Sequence, residues 1–195
     1  MRDLPDQDGP DKLNTMCSTK KLNRLVLRQS YANGSPAAAR LHVGSLVLRA
    51  AIGKTGLSHR KREGDGKTPV GAFKLRAGFF RGDRMLRICC TPGLSLLRSK
   101  MGWCDHPGSG LYNRPVAAGH SLSHERLWRE DHVYDVVFPT SHNENPRVQG
   151  AGSAIFFHLA RPDYAGTEGC IAISAADMRR LLPRLGKHVK LVVKR

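Results

Sequence analysis

The residues with the clearest chemistry lie near the C-terminus, in the segment SAIFFHLARPDYAGTEGCIAIS. His158 falls in a predicted strand there, and Cys170 begins the next predicted strand after a short loop. Strict alternation places His158 on the same face as Phe156, and Cys170 on the same face as Ala172. A cysteine and a histidine on neighbouring strand ends can form a thiolate–imidazolium pair, in which the histidine lowers the pKa of the thiol. The pattern therefore predicts a nucleophile with its own proton acceptor.

The residues around this cysteine suit attack on a carbonyl group. Gly169 allows a substrate carbonyl to approach the backbone closely. The amide N–H groups around Gly169 and Cys170 would then donate hydrogen bonds to the oxyanion that forms. The alternative interpretation is structural, since a lone cysteine at a strand start is usually a small buried apolar residue. A lone histidine, likewise, usually makes only an ordinary hydrogen bond.

Short apolar runs separated by Gly, Pro and Asn predict the strands that must position this pair. They lie at 22–28, 45–52, 70–75, 133–138, 153–159, 170–173 and 189–193. The segment 90–128 has little periodicity and many Gly, Pro and His residues, which predicts a long excursion over the surface.

One helix is predicted just before the last strand. Ser174 caps it, with Asp177 three residues later, and an apolar stripe at helical spacing follows. Pro183 should shorten or kink this helix, and Gly186 should end it. The sum is a mainly β domain, a sandwich or barrel-like sheet with one C-terminal helix before the last strand.

The composition agrees with one folded domain. The chain has 195 residues, 40% of them hydrophobic, and no apolar run is long enough for a membrane-spanning helix. Its formal net charge of +16 suggests affinity for an anionic surface or polymer. The basic residues are scattered along the sequence, however, and aromatic residues make up only 6%, which leaves few platforms for stacking bases. We therefore expect a solvated basic surface and no nucleic-acid partner.

Metal and nucleotide binding are not predicted. The five cysteines do not form a disulfide framework, and the single residue between Cys104 and His106 fits no paired zinc pattern. The Gly-Lys-Thr sequence at 66–68 lacks the earlier glycine of a phosphate loop, and Pro69 opposes the helix that should follow. We expect no metal ion and no organic cofactor.

Residues 1–20 are predicted to form a disordered tail, because their first part is polar and punctuated by Pro and Gly. Met16 is an alternative start, and the folded domain is expected over 21–195. No signal peptide is visible, since an export signal needs an apolar stretch of about 7–15 residues.

Two widely separated motifs resemble those of a known family. Gly169 and Cys170 follow Thr167, with a strand histidine upstream and Ile171 downstream, which looks like the active-site motif of the L,D-transpeptidase catalytic domain, or YkuD-like, family. The segment KREGDGKTPVGAFKL resembles the N-terminal signature of that family in Gly64, Asp65, Thr68, Pro69, Gly71 and Phe73. The resemblance runs over about 41–193, which is most of the chain.

The resemblance implies a mainly β catalytic domain that acts on the peptide stems of peptidoglycan through a covalent cysteine intermediate. By position, Cys170 would be the nucleophile, His158 the proton donor and acceptor, and Gly169 the backbone donor to the oxyanion. The acyl group would pass to an amine, giving a cross-link, or to water, giving carboxypeptidase or endopeptidase activity. Substrate contacts are expected from Thr167, Arg161 and Asn145.

The same resemblance implies the partners and the cellular location of the protein. Peptidoglycan stem peptides would be its partners in the cell envelope or periplasm, and no cofactor is required. The absence of a visible signal peptide keeps the cytoplasm open as a location. The chain is expected to act as a monomer.

The chain departs from the family pattern beside the cysteine. The family usually has Ser-His-Gly-Cys followed by Ile-Arg, whereas this chain has Glu168 in place of the histidine and Ala172 in place of the arginine. A carboxylate close to the thiol would disfavour the thiolate. The sequence thus indicates a divergent branch. Its alternatives are a Cys–His thiol hydrolase or amidase on another peptide or amide, and a non-catalytic basic cell-wall-binding module with an inert Cys170.

Overall fold

The structure is a computed structural model, and it describes residues 21–31, 34–85, 90 and 92–195. The strands are β1 (Leu22–Gln29), β2 (Ala38–Val43), β3 (Leu46–Ala51), β4 (Leu57–Ser58), β5 (Thr68–Pro69), β6 (Gly71–Lys74), β7 (Gly78–Phe80), β8 (Leu94–Leu96), β9 (Met101–Cys104), β10 (Pro115–Ala117), β11 (His124–Arg126), β12 (Val136–Pro139), β13 (Phe156–Leu159), β14 (Ile171–Ile173) and β15 (Leu185–Lys194). One α-helix, α1 (Ala175–Leu181), and a 3-10 turn (Leu182–Arg184) lie between the last two strands. This confirms the predicted mainly β fold with one helix before the final strand. The tail predicted over 1–20 lies outside the described residues.

A curled ten-stranded sheet forms the body of the protein, in the order β6-β15-β1-β2-β3-β14-β13-β12-β7-β8. Its strands follow the alternation of the sequence, since Leu25 and Leu27 of β1 are fully buried and Arg24 and Arg28 beside them are exposed. The buried side chains of this face pack with Met178 of α1 into a first hydrophobic core.

The helix begins as the sequence predicts, because the Ser174 Oγ accepts a hydrogen bond from the Asp177 amide at 3.0 Å. Pro183 lies in the 3-10 turn, so the prediction of a shortened helix is also confirmed. The prediction for Gly186 is wrong, because this residue lies inside β15. A Cβ there would come within 3.1 Å of the Leu22 carbonyl oxygen, so the glycine allows β1 and β15 to approach closely. No helix in the described residues has the length and apolar character needed to cross a bilayer.

The predicted excursion over 90–128 has more order than the sequence indicates. It contributes β8 to the main sheet and forms a separate three-stranded sheet in the order β10-β9-β11. These strands are three or four residues long, which is too short for a periodic signal. Trp103 packs edge-on against Phe156, with ring centroids 5.3 Å apart, and so attaches the small sheet to the main one. A second hydrophobic core forms between them, and Cys170 belongs to it.

Candidate active site

The fold brings Cys170 and His158 to one face of the main sheet. β13 and β14 run parallel, with His158 opposite Ala172, and Cys170 directly precedes β14. Phe157 and Ile171 belong to the first core, whereas Cys170 belongs to the second, which is the alternation that the sequence predicts. Cys170 and His158 both line a cavity of about 410 Å³.

The Cys170 thiol is held by the backbone of the preceding strand. Its Sγ donates a hydrogen bond to the Ala154 carbonyl at 3.1 Å and accepts one from the Phe156 amide at 3.3 Å. Burial raises the pKa of Cys170 to about 12, against the opposing effect of the Phe156 hydrogen bond. The thiol is therefore neutral at physiological pH.

His158 is buried and neutral as well. Its Nδ1 lies 2.9 Å from the Leu159 carbonyl oxygen, which can only accept, so Nδ1 carries the proton and Nε2 is the basic nitrogen. Burial lowers the pKa of His158 to about 4. No hydrogen bond between described residues joins this ring to Cys170. The thiolate–imidazolium pair suggested by the sequence stays a prediction, and burial of both groups favours their neutral forms.

Tyr134 fixes the histidine ring from the side. The two rings meet edge-on with centroids 5.1 Å apart, and the Tyr134 hydroxyl donates a hydrogen bond to Glu125 at 3.0 Å. Burial raises the pKa of Tyr134 well above its ordinary value, with a further contribution from the neighbouring Cys170. Sequence analysis did not find Tyr134 or Glu125, because they come from segments far from the motifs.

Thr68 joins the two sequence motifs inside the protein. Its fully buried hydroxyl donates a hydrogen bond to the Gly169 carbonyl at 2.8 Å and accepts one from the Gly53 amide at 2.8 Å. The N-terminal signature thereby supports the backbone that carries Cys170. The Gly-Lys-Thr sequence at 66–68 runs from a turn into β5, as its proline predicts.

The turn before Thr68 is stabilised by Asp65. Its carboxylate accepts hydrogen bonds from the amides of Arg62 and Lys67, both at 2.9 Å, and forms an ion pair with the nearly buried Lys61. Burial by itself would raise the pKa of Asp65, but the hydrogen bonds from Lys61 and these two amides lower it below its ordinary value. Asp65 of the N-terminal signature thus stabilises the turn.

Gly169 occupies a position that only glycine fits. Its φ is +135°, and a Cβ there would lie 2.8 Å from the Lys67 carbonyl oxygen. Its amide donates a hydrogen bond to the Thr167 Oγ1 at 3.1 Å, and that hydroxyl donates one to the Cys170 carbonyl at 2.7 Å. The role of Gly169 as an oxyanion donor stays a prediction, and it requires the bond to Thr167 to be exchanged for one to the substrate.

Glu168 has less influence on the thiol than its position in the sequence suggests. Its side chain is 73% exposed and forms an ion pair with Lys54 at 2.6 Å. Its charge raises the pKa of Cys170, but burial has a much larger effect and the charge of Glu125 a larger one. Burial, and not the substitution of the family histidine by Glu168, is therefore the main reason why the pKa of Cys170 is raised.

Arginines and carboxylates line one side of the cavity. Arg129 binds both Asp131 oxygens, at 2.9 and 2.7 Å, and also contacts Glu125 at 3.2 Å. Arg161 adds a bond to Asp131 at 3.0 Å. Of the predicted substrate contacts, Arg161 and Thr167 line the cavity, whereas Asn145 is not among its lining residues. The assignment of Asn145 stays a prediction without support from its position.

Two residues of the cavity lining carry buried polar atoms that have no hydrogen-bond partner among the described residues. They are the buried Oδ1 of Asp105 and the buried Oγ of Ser153, which adjoins the Tyr112 hydroxyl but makes no bond of ordinary geometry. Glu63 lines the same cavity and accepts a hydrogen bond from Tyr112. Since an unpaired buried carboxylate oxygen is costly, this side of the cavity suits a ligand that donates hydrogen bonds.

Asn113 connects the small sheet to the backbone beside the thiol. Its Oδ1 accepts hydrogen bonds from the Trp103 indole at 2.9 Å and the Ala154 amide at 3.1 Å, and its Nδ2 donates to the carbonyls of His142 and Asn143 at 3.0 and 2.9 Å. Ala154 has a φ of +50°, an uncommon conformation for a residue with a side chain. Asn113 thus helps to hold the carbonyl to which Cys170 donates.

The described part of the chain contains no candidate metal site, since no group of three or more His, Cys, Asp or Glu residues there could hold an ion. Cys104 is buried and Cys90 half-buried, each as a free thiol. Cys17 and Cys89 lie outside the described residues.

The chain is similar to one known protein family. The family model described as the L,D-transpeptidase catalytic domain, YkuD, matches residues 23–193. A search of curated proteins gives no match.

Two solved structures are similar to the chain. One is Bdellovibrio bacteriovorus Bd1075, with 15% identity over 89% of this chain and 48% of that chain and a TM-score of 0.43. The other is the helical cell shape determining protein Pgp2 from Campylobacter jejuni, with 17% identity over 87% of this chain and 47% of that chain and a TM-score of 0.42. The chain spans about half the length of both. The family match covers most of the sequence, and the chain therefore belongs to the L,D-transpeptidase catalytic domain (YkuD) family.

Proposed function

We propose that the chain is a cysteine acyltransferase that acts on peptidoglycan stem peptides through an acyl-enzyme on Cys170. One observation carries the proposal: the Cys170 thiol and the imidazole of His158, with its basic Nε2, line a single cavity in a member of this family. The arginines and carboxylates of that cavity suit a peptide with both acidic and basic groups. The cell envelope is the location that such a substrate implies, and the active unit is a monomer.

The neutral state of the pair defines the first step. As the Cys170 sulfur bonds to the carbonyl carbon between an L-residue and a D-residue, its proton passes to the His158 Nε2. Backbone amides around Gly169 then donate to the oxyanion. When the intermediate collapses, the C–N bond breaks, and the departing D-amino acid takes the proton from His158.

The second step releases the acyl group. His158 removes a proton from the acceptor, which attacks the thioester and restores the Cys170 thiol. An amine acceptor gives a cross-link, whereas water gives carboxypeptidase or endopeptidase activity. The products distinguish the two outcomes.

Mass spectrometry of the intact protein tests the acyl-enzyme. The protein is incubated with a tetrapeptide stem or with a carbapenem, which acylates cysteine nucleophiles of this kind. We expect one adduct per chain, mapped to Cys170, absent from Cys170→Ala and formed more slowly by His158→Ala. Cys104→Ala is the matched control, because it removes another buried thiol and should leave the adduct unchanged.

Other results would favour the remaining interpretations. Adduct formation with simple amides or unrelated peptides, but not with the stem peptide, would favour a thiol hydrolase of another substrate class. A folded protein without an adduct on any cysteine would favour a non-catalytic cell-wall-binding module.

A further inference from the structure

Cations that are scattered in the sequence form two rows on one face of the main sheet. Lys194 of β15 lies opposite Arg28 of β1, which lies opposite Arg40 of β2, and Arg40 lies opposite Arg49 of β3. This first row crosses four neighbouring strands. A second row runs through Lys74 of β6, Lys190 of β15 and Arg24 of β1. All seven side chains are exposed, and we call the surface that they form the basic sheet face.

The basic sheet face has no acidic counterpart within the described residues. The five strands β6, β15, β1, β2 and β3 contain no Asp or Glu, and no ion pair of the described chain involves any of the seven cations. Only Arg49 has a polar neighbour of another kind, the Tyr164 ring, at 4.1 Å from its centroid. Like charges directly opposite each other destabilise a sheet. A polyanion at this surface would remove that repulsion.

An apolar strip separates the two rows of cations. It crosses the same five strands through Ala72, Val192, Val26 and Val47, with His42 of β2 as its one polar member. At its end, in the hairpin between β2 and β3, Val47 is exposed by 48%. Leu46 beside it is exposed by 45% but belongs by alternation to the opposite face of the sheet. None of the residues in the rows or in the strip is a Phe, Tyr or Trp. The face therefore combines cations with aliphatic groups and offers few rings on which a base could stack, namely the imidazole of His42 and the Tyr164 ring, which Arg49 already covers.

The basic sheet face continues into the face that carries the reactive pair. Ala51, two residues after Arg49 in β3, lies opposite Ala172 of β14, and Ala172 lies opposite His158 of β13. A partner that covers the basic sheet face would therefore lie beside the cavity with Cys170.

We propose that the basic sheet face binds the surface of a bilayer that contains anionic phospholipids. Charge complementarity is the main argument, since exposed Lys and Arg residues are attracted to anionic headgroups. The aliphatic strip and the exposed hairpin tip match the boundary between headgroups and acyl chains. A single strand of nucleic acid would instead be expected to require stacking platforms. The proposal stands independently of the chemistry at Cys170.

Sedimentation of the full chain with vesicles tests the proposal. The vesicles are phosphatidylglycerol mixed with phosphatidylcholine, compared with phosphatidylcholine alone. We expect binding to the anionic vesicles only, weakened by added salt. The double variant Arg28→Gln/Arg40→Gln should lower the partition coefficient about five-fold for each cation removed. Arg98→Gln/Lys100→Gln removes the same charge from an exposed site outside the basic sheet face and should have a much smaller effect.

Three results would overturn the proposal. The first is an equal loss of vesicle binding in both double variants. The second is no sedimentation with anionic vesicles. The third is tight binding of a single-stranded oligonucleotide by a protein that does not bind the vesicles. Misfolding is a weak explanation for lost binding, because the double variant in the first row relieves repulsion and should be at least as stable as the parent. Cys170→Ala should bind vesicles like the parent chain, whatever its effect on catalysis.

Discussion

Burial determines the protonation states of Cys170 and His158. Cys170 has a pKa of about 12 and His158 a pKa of about 4, so both are neutral near pH 7. A neutral thiol is a poor nucleophile until a base takes its proton. The basic Nε2 of His158 remains available throughout the physiological range. In the proposed reaction, proton transfer must therefore accompany attack on the substrate.

The lowered pKa of His158 makes the folded state sensitive to acid. The unfolded chain protonates this histidine near its ordinary pKa of 6.5, whereas the folded chain does so only near 4. Its contribution to stability is therefore complete above pH 6.5 and is lost as the pH falls towards 4. Between pH 7.5 and 5 we expect the free energy of unfolding to fall by about 2 kcal/mol through this group. Urea titrations measure this, and an equally steep fall in His158→Asn would contradict it.

The unpaired carboxylate oxygen of Asp105 predicts a preference for a peptide with an ammonium group. A hydrogen bond to a charged group contributes about 1.5–3 kcal/mol, so Asp105→Asn should raise KM roughly ten-fold or more and change kcat little. Stem peptides that contain lysine and the same peptides with N-acetyl-lysine in its place provide the comparison. The variant should lose its effect on the acetylated peptide. The same KM increase for both peptides would show that Asp105 does not bind the ammonium.

The sequence predicts that His158 and Cys170 lie close together, but not what surrounds them. Alternation assigns His158 to the face of Phe156 and Cys170 to the face of Ala172, and the pairing of β13 with β14 then places both on one face of the sheet. The same pattern carries no information on how deeply a face is covered, so the neutral state could not be predicted. Asp105 comes from an irregular segment and Tyr134 from a predicted strand that carries no motif, and only tertiary packing places them at the cavity.

At the scale of elements, Thr68 connects β5 to the turn that carries Cys170. Thr68→Val keeps the shape of the side chain but leaves the Gly169 carbonyl and the Gly53 amide without a partner. Leaving buried polar groups unpaired costs about 1–3 kcal/mol. We expect a loss of stability of this size and slower acylation of Cys170, measured by urea unfolding and by the rate of adduct formation. Thr68→Ser keeps the hydroxyl and should retain most of both, so equal losses in the two variants would argue against this role.

The boundary between helix and strand near the C-terminus shows where reasoning from local sequence ends. Ser174 and Pro183 act through local geometry, so their effects could be predicted. Gly186 follows the helical stripe and looks like its end, but β1 and β15 pair side by side at this point. The close approach of Leu22 gives the glycine its role. That contact joins the two ends of the chain and is absent from any local pattern.

At the scale of the whole molecule, strand pairing changes the meaning of the net charge. The +16 formal charge is spread along the sequence, which suggested a solvated surface. Pairing of β15, β1, β2 and β3 places Lys194, Arg28, Arg40 and Arg49 in a single row. The register between distant strands cannot be obtained from composition, so the sequence did not predict this surface.

The row of like charges predicts an unusual response to salt. Added salt screens exposed charges, with a Debye length of about 10 Å at 0.1 M. Because these cations repel each other and have no acidic partner on their strands, we expect the free energy of unfolding to rise with salt, by about 0.5–1 kcal/mol. Urea titrations at low and moderate salt measure the rise. Arg28→Gln/Arg40→Gln should be more stable than the parent at low salt and respond less to its addition, whereas Arg98→Gln/Lys100→Gln should respond like the parent. An unchanged salt response in the first variant would mean that the row contributes no repulsion, and a polyanion would then gain nothing by relieving it.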